Sequence, residues 1–242
     1  MQLYYERHGA GDPIVLLHGG LLSIELSFAD LIQVLAQEHE VIALELQGHG
    51  RTANIDRTFS PANNAADVVA LLDHLGLAKV SVIGHSTGAA TALELAVQHG
   101  ARVDRIVSLS GSVKPDATVP DFDDLETVMS SPRVPTEQEM AAMRSEYERL
   151  SPTPDKFEEF QQQMMAVEDG GGYSDEELAG ITAPVLEVLG DLDFVPFAHL
   201  TVMQDLIPDC QIAVLPGTTH TQVPTRVDLL APMLKAFFGS SR

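Results

Sequence analysis

The sequence predicts an α/β fold, a mostly parallel central sheet flanked by helices, with a small helical insertion above it. Three observations point there. Short apolar runs rich in valine and isoleucine alternate with longer segments of helical period. Several of those runs are apolar at every position, as strands buried on both faces must be. The chain of 242 residues is long enough for one such core and cramped for two.

Seven strands are expected, at residues 3–7, 14–17, 40–44, 79–83, 105–109, 185–189 and 211–215. Helices fit residues 24–37, 61–75, 86–99, 197–206 and 224–238. The second has Ser60 as N-cap and Pro61 at the first helical position, where a missing N–H costs nothing, and Gly76 supplies its stop. Gly100 ends the third in the same way.

From residue 115 to residue 180 the alternation stops. This segment reads as short helices broken by Pro120, Pro132, Pro135, Pro152, Pro154 and the run Gly170, Gly171, Gly172. Inserted between two core strands, it would emerge above the carboxyl ends of the sheet, where open α/β folds place their ligands. The expected organisation is a core of residues 1–114 and 181–242 with a helical cap, or lid, at 115–180. Five of the eight methionines (Met129, Met140, Met143, Met164, Met165) fall in it. Their flexible thioethers suit an adaptable apolar pocket and equally suit packing of the lid on the body.

Hydrophobic residues make up 45% and charged residues 20%, an ordinary globular balance. The net charge of −21 repels phosphate backbones and argues against nucleic acid as a partner. Residues 115–180 hold 17 acidic and four basic side chains, which reads as a solvated helical surface. No run of about 18 apolar residues is present to engage a membrane. Residues 1–11 carry charges and turn formers instead of an apolar signal core, so a cytoplasmic location is expected. Cys210 is the single cysteine, cannot form an internal disulfide and suits a structural role.

The strongest chemical signal is Gly84-His85-Ser86-Thr87-Gly88, which fits the pattern G-x-S-x-G between a valine-isoleucine strand and an alanine-rich helix. A sharp strand-to-helix turn strains the central residue, and side chains at the flanking positions would meet neighbouring backbone, hence glycine at both. Ser86 is thus the candidate nucleophile. Serine at its free pKa is a poor one and needs a base. Of nine histidines His220 is best placed, on a loop after the last strand at the same sheet edge. His8, His39, His74 and His99 read as solvated turn or helix-surface residues, His18 and His49 as hydrogen-bonding loop anchors, and His85 as facing away from the site.

A histidine base needs an acid to fix its tautomer. The loop Gly190-Asp191-Leu192-Asp193-Phe194-Val195-Pro196 offers two carboxylates, and spacing alone does not choose between Asp191 and Asp193. A developing oxyanion needs N–H donors, for which the glycine-rich turn His18-Gly19-Gly20-Leu21 provides Gly20, with Leu21 as the alternative. The second donor is the N–H of Thr87.

The order HGG, ELQGHGR (residues 45–51), GHSTG, GDLDFVP and GTTH resembles the α/β-hydrolase superfamily over residues 3–238. That resemblance implies that the acid is the second carboxylate, Asp193, and that the insertion is a mobile cap. Two departures are visible: Glu45 stands where aspartate is common, and Gln47 replaces a frequent arginine. Serine at position 86 disfavours the haloalkane dehalogenase and epoxide hydrolase relatives, which use aspartate there. The implied activity is hydrolysis of a small-molecule carboxylic ester through an acyl-Ser86 intermediate, with no metal or organic cofactor. Lactonase, thioesterase, C–C bond hydrolase and cofactor-free perhydrolase chemistry, or ligand binding without turnover, are the alternatives.

Overall fold

A computed structural model describes residues 1–113, 131–165 and 172–239. The expected features at Pro120, Met129, Gly170 and Gly171, and the side chain of Met165, lie outside the described residues. Seven strands form one sheet: β1 (Tyr5–Gly9), β2 (Asp12–Leu17), β3 (His39–Leu44), β4 (Val80–His85), β5 (Val103–Leu109), β6 (Val185–Leu192) and β7 (Cys210–Thr219). Their order is β1-β3-β2-β4-β5-β6-β7. Only β1 runs antiparallel to its neighbour; β2 to β7 are all parallel. Parallel strands share one carboxyl edge, so the loops after β2, β3, β4, β5, β6 and β7 open on the same side of the sheet.

Alternating residues of the strands bury against helices on both faces, which explains why these strands read as continuous apolar runs. On one face Val15, Leu17 and Val82 meet α2 (Pro61–Leu75) and α3 (Thr87–His99) through Val68, Leu72, Ala92 and Leu93. Ile14, Leu16 and Ile83 on the other meet α1 (Ile24–Leu35) and the carboxyl-terminal helix Val227–Gly239 through Phe28, Leu31, Leu230 and Phe237. Each such fully buried side chain contributes about 1.5–3 kcal/mol. Between β5 and β6 lie α4 (Glu137–Leu150), α5 (Phe157–Met165) and the short α6 (Asp175–Ala179); α7 (Ala198–Leu206) follows β6, and Val227–Gly239 is α8. No helix among the described residues is long and apolar enough to cross a membrane.

The differences from the sequence reading have physical causes. Strands β6 and β7 run past Leu189 and Leu215, because Gly190 pairs with Leu215 and Leu192 with Thr219 despite the breakers Gly190, Pro216 and Gly217. The last helix starts later than residue 224: His220–Thr225 is a 3₁₀ turn that accommodates Pro224, and α8 begins at Val227. His8 and His39 lie in β1 and β3, not in turns. Cys210 opens β7, half-buried, and burial pushes its thiol up to about 12.

A carboxyl group lies among the core strands. Glu187 on β6 is 0% exposed; its Oε1 accepts the Gly111 N–H at 2.9 Å. Its Oε2 has no hydrogen-bond partner among the described residues. Burial pushes the carboxyl well above the usual range, against the pull of the Gly111 N–H. A raised folded pKa means that the folded protein keeps a proton the unfolded chain releases. The resulting stability is fully present below the ordinary glutamate pKa and is lost as pH rises above it. Urea unfolding from about pH 5 to about pH 8 should therefore show Glu187→Gln gaining on wild type by up to about 1.4 kcal/mol per pH unit. A difference independent of pH would mean that Glu187 is ionised in the fold.

Candidate active site

Strand β4 ends at His85, and Ser86 turns the chain into α3 with φ 51° and ψ −113°. A non-glycine residue at positive φ is costly, on the order of 1–3 kcal/mol. The turn survives because nothing else fits. A Cβ on Gly88 would overlap the carbonyl oxygen of Leu17, and one on Gly84 would overlap the carbonyl of Gly88. The two glycines thus allow α3 to start directly against β2 and β4. The Ser86 N–H donates to the Leu109 carbonyl at 2.9 Å, while the Ser86 hydroxyl has no hydrogen-bond partner among the described residues.

At the ends of β6 and β7, His220 and Asp193 meet. His220 Nδ1 donates to Asp193 Oδ1 at 2.8 Å, with the Asp193 side chain 0% exposed. The same oxygen accepts the Val195 N–H at 3.0 Å, and Oδ2 accepts the Ser110 hydroxyl at 2.6 Å. Burial pushes the Asp193 carboxyl up, but the hydrogen bonds from His220, Ser110 and Val195 prevail and hold it below the ordinary range. Asp193 is ionised, and its bond leaves His220 Nε2 as the free ring nitrogen. Phe194 stacks on the imidazole with ring centroids 3.9 Å apart. Asp191 instead turns to the β7 loop, where its Oδ1 accepts the Thr218 N–H at 3.0 Å, so the two carboxylates separate by geometry.

His85 links the two halves. Its Nε2 donates to the His220 carbonyl at 2.9 Å, tying the strand that carries Ser86 to the histidine loop. Its Nδ1 is buried without a hydrogen-bond partner among the described residues and would lie 2.6 Å from a Cβ on Gly19. Burial pushes its pKa down to about 3, so the ring is neutral. The glycine-rich turn after β2 is held by two more neutral histidines. His18 accepts the Leu46 N–H at 3.1 Å and donates to the Gly19 carbonyl at 2.8 Å; burial takes its pKa down to about 4. His49 donates to the Gln47 carbonyl at 2.8 Å and accepts the Leu21 N–H at 3.1 Å, and burial keeps it well below its usual range. Leu21 is therefore already engaged. The N–H groups of Gly20 and Thr87 have no partner among the described residues, and a Cβ on Gly20 would lie 3.2 Å from Thr87 Oγ1.

The structure thus brings Ser86, Thr87, Gly20, His220 and Asp193 to one sheet edge and leaves Asp191 aside. Sequence reasoning missed three contributors. Ser110, at φ 58° after β5, and Arg133, whose guanidinium donates to the Asp193 carbonyl, carry no motif. His85 was assigned no contact, yet its position beside Ser86 was the signal. No group of three or more His, Cys, Asp or Glu side chains among the described residues could hold a metal ion.

Residues 12–138 match the family described as alpha/beta hydrolase fold. The putative carbamate hydrolase RutD of Caulobacter vibrioides is 36% identical over 118 residues, 47% of this chain and 44% of that protein. The chain thus matches less than half the length of such curated relatives. Among solved structures, Est816, an N-acyl homoserine lactone degrading enzyme, superposes with TM-score 0.79 at 25% identity, over 97% of this chain and 96% of the other. A meta-cleavage product hydrolase from Pseudomonas fluorescens IP01 gives TM-score 0.79 at 21% identity, over 98% and 94%, and at that identity shares the fold alone.

The turn geometry can be tested without any assay of function. Gly88→Ala should lower stability by about 1–3 kcal/mol in urea unfolding, the range for overpacked sites. Gly100→Ala, at φ −51° with nothing within 4 Å, should stabilise by about 0.4–1 kcal/mol. Equal effects at the two positions would contradict the packing described.

Proposed function

The chain belongs to the α/β-hydrolase fold family, and from that premise we propose that it is a serine hydrolase that cleaves a carboxylic ester of a small molecule. The observation that carries the proposal is the buried 2.8 Å bond between His220 and Asp193 beside the strained turn at Ser86. In this mechanism Ser86 Oγ attacks the carbonyl carbon as its proton passes to His220 Nε2. Ionised Asp193 steadies the imidazolium through Nδ1. The oxyanion sits between the N–H groups of Gly20 and Thr87, the latter at the positive end of α3.

Collapse of the tetrahedral species breaks the C–O bond, and His220 returns the proton to the departing alcohol. Water, deprotonated by His220, then attacks acyl-Ser86, and the acid leaves as Ser86 recovers its proton. The helices between β5 and β6 act as the lid of this site, with α5 placing Met164 beside the glycine-rich turn.

A fluorophosphonate probe should label wild type and not Ser86→Ala, and short nitrophenyl esters should be turned over only by the former. Absence of labelling in wild type would instead favour a ligand-binding role. Asp193→Asn should cut kcat on the order of 10⁴-fold, because the wrong histidine tautomer is held. Asp191→Asn should have a far smaller effect, and the opposite ranking in steady-state kinetics would reassign the acid.

A further inference from the structure

A cavity of ≈ 210 Å³ adjoins Thr87 on the side of α3 that faces α2. Its apolar wall is Phe59, Pro61, Ala90 and Met164. It touches no residue of the Asp193 or His220 loops. This placement separates the two ends of an ester. The leaving alcohol must take its proton from His220 and so departs on that side, whereas a group in the cavity hangs from the carbonyl that the Thr87 N–H polarises.

Two polar groups in the wall are uncommitted. Thr87 is engaged through its carbonyl, which accepts the Thr91 hydroxyl at 2.9 Å, while its own hydroxyl makes no hydrogen bond among the described residues. Asn64, 4% exposed, makes only a 3.4 Å contact from Nδ2 to Thr91, and its Oδ1 accepts nothing among the described residues. Ser60 Oγ accepts the Asn63 N–H at 3.1 Å as the cap of α2. Gln47 Nε2 bonds to Asn54, Ile55 and Arg57 and its Oε1 to Arg57, while both nitrogens of His49 are engaged. The volume is about seven times the ~30 Å³ that a water occupies in the liquid, which suits a compact acyl group.

We propose that this cavity is the acyl subsite of the hydrolase, and that it selects a compact acyl group bearing a hydroxyl or keto oxygen for the Asn64 amide and the Thr87 hydroxyl. The inference rests on the serine-hydrolase reading above and adds the class of acid. Long unbranched acyl chains exceed the space, and a purely hydrocarbon group leaves Asn64 Oδ1 without a donor.

The test is kcat/KM of wild type, Ala90→Leu and Asn64→Leu on the nitrophenyl esters of acetic, butyric, 3-hydroxybutyric, hexanoic and dodecanoic acids. Fluorophosphonate labelling rates of each protein report that Ser86 is intact. Wild type should prefer 3-hydroxybutyrate over butyrate by about tenfold, the worth of one buried hydrogen bond, and should turn over dodecanoate poorly. Ala90→Leu should lower the hexanoate-to-acetate ratio about tenfold, and Asn64→Leu should erase the preference for the hydroxyl. Normal labelling with unchanged ratios in both variants, or dodecanoate used as well as butyrate, would overturn the subsite while leaving the serine-hydrolase reading standing. No labelling and no turnover of any ester would overturn both.

Discussion

Every other feature of the site depends on how closely α3 approaches the sheet after Ser86. The serine backbone is held at φ 51°, and that strain is met by the β4–β5 and β2–β4 pairing on either side. Because Gly84 and Gly88 carry no side chain, the first turn of α3 rests on the backbone of β2. The same contact sets Thr87 beside Gly20, so the geometry at the serine and the pair of free N–H donors are a single packing decision. Neither could be altered without the other.

Electrostatics around this turn follow one pattern: three buried histidines, His18, His49 and His85, are neutral, and Asp193 carries a charge. His18, His49 and His85 are all buried, and desolvation lowers the pKa of each. Neutral rings can accept as well as donate, which His18 and His49 both do in pinning the turn that carries Gly20. His220 differs in having an ionised carboxylate on one ring nitrogen. A protein with a net charge of −21 thus keeps one carboxylate buried here because three donors surround it.

Much of this was legible in the sequence, for definite reasons. The central strands were the plainest, because parallel strands covered on both faces have no polar side to confuse the reading, whereas the edge strands β1 and β7 are part-exposed and their bounds shifted. The glycines at 84 and 88 announced a close backbone approach. What stayed hidden were contacts between segments far apart in the chain. Ser110 and Asp193 are 83 residues apart, and nothing about a serine after a strand foretells a bond to a carboxylate. Spacing did not separate Asp191 from Asp193, and only the family resemblance pointed to the second; in the structure β7 offers the Thr218 N–H to Asp191, and His220, just past β7, meets Asp193. Glu187 was unread for the opposite reason, since one acidic residue in an apolar run looks like an exposed strand position.

The helices between β5 and β6 are coupled to the same machinery. Near its start α4 is fixed to the histidine loop, where Glu139 accepts the Thr221 hydroxyl at 2.6 Å; near its end Glu146 accepts the Ser23 hydroxyl at 2.9 Å. Arg149 joins Glu146 to Glu25, and Arg51 joins Glu25 to the buried Glu45. The exposed members of that chain are worth about 0–1 kcal/mol each, too little to hold a helix in place. The apolar contact matters more. Phe160 of α5 is 1% exposed and sets its ring edge-on to His49 with centroids 4.8 Å apart, stacked on its other side by Tyr147 of α4. His49 in turn holds the Leu21 N–H, one residue from Gly20. A displacement of α5 would therefore remove the wall behind His49 and loosen the turn that presents the Gly20 donor. On this packing the seat of α5 and the shape of the turn at Gly20 are set together.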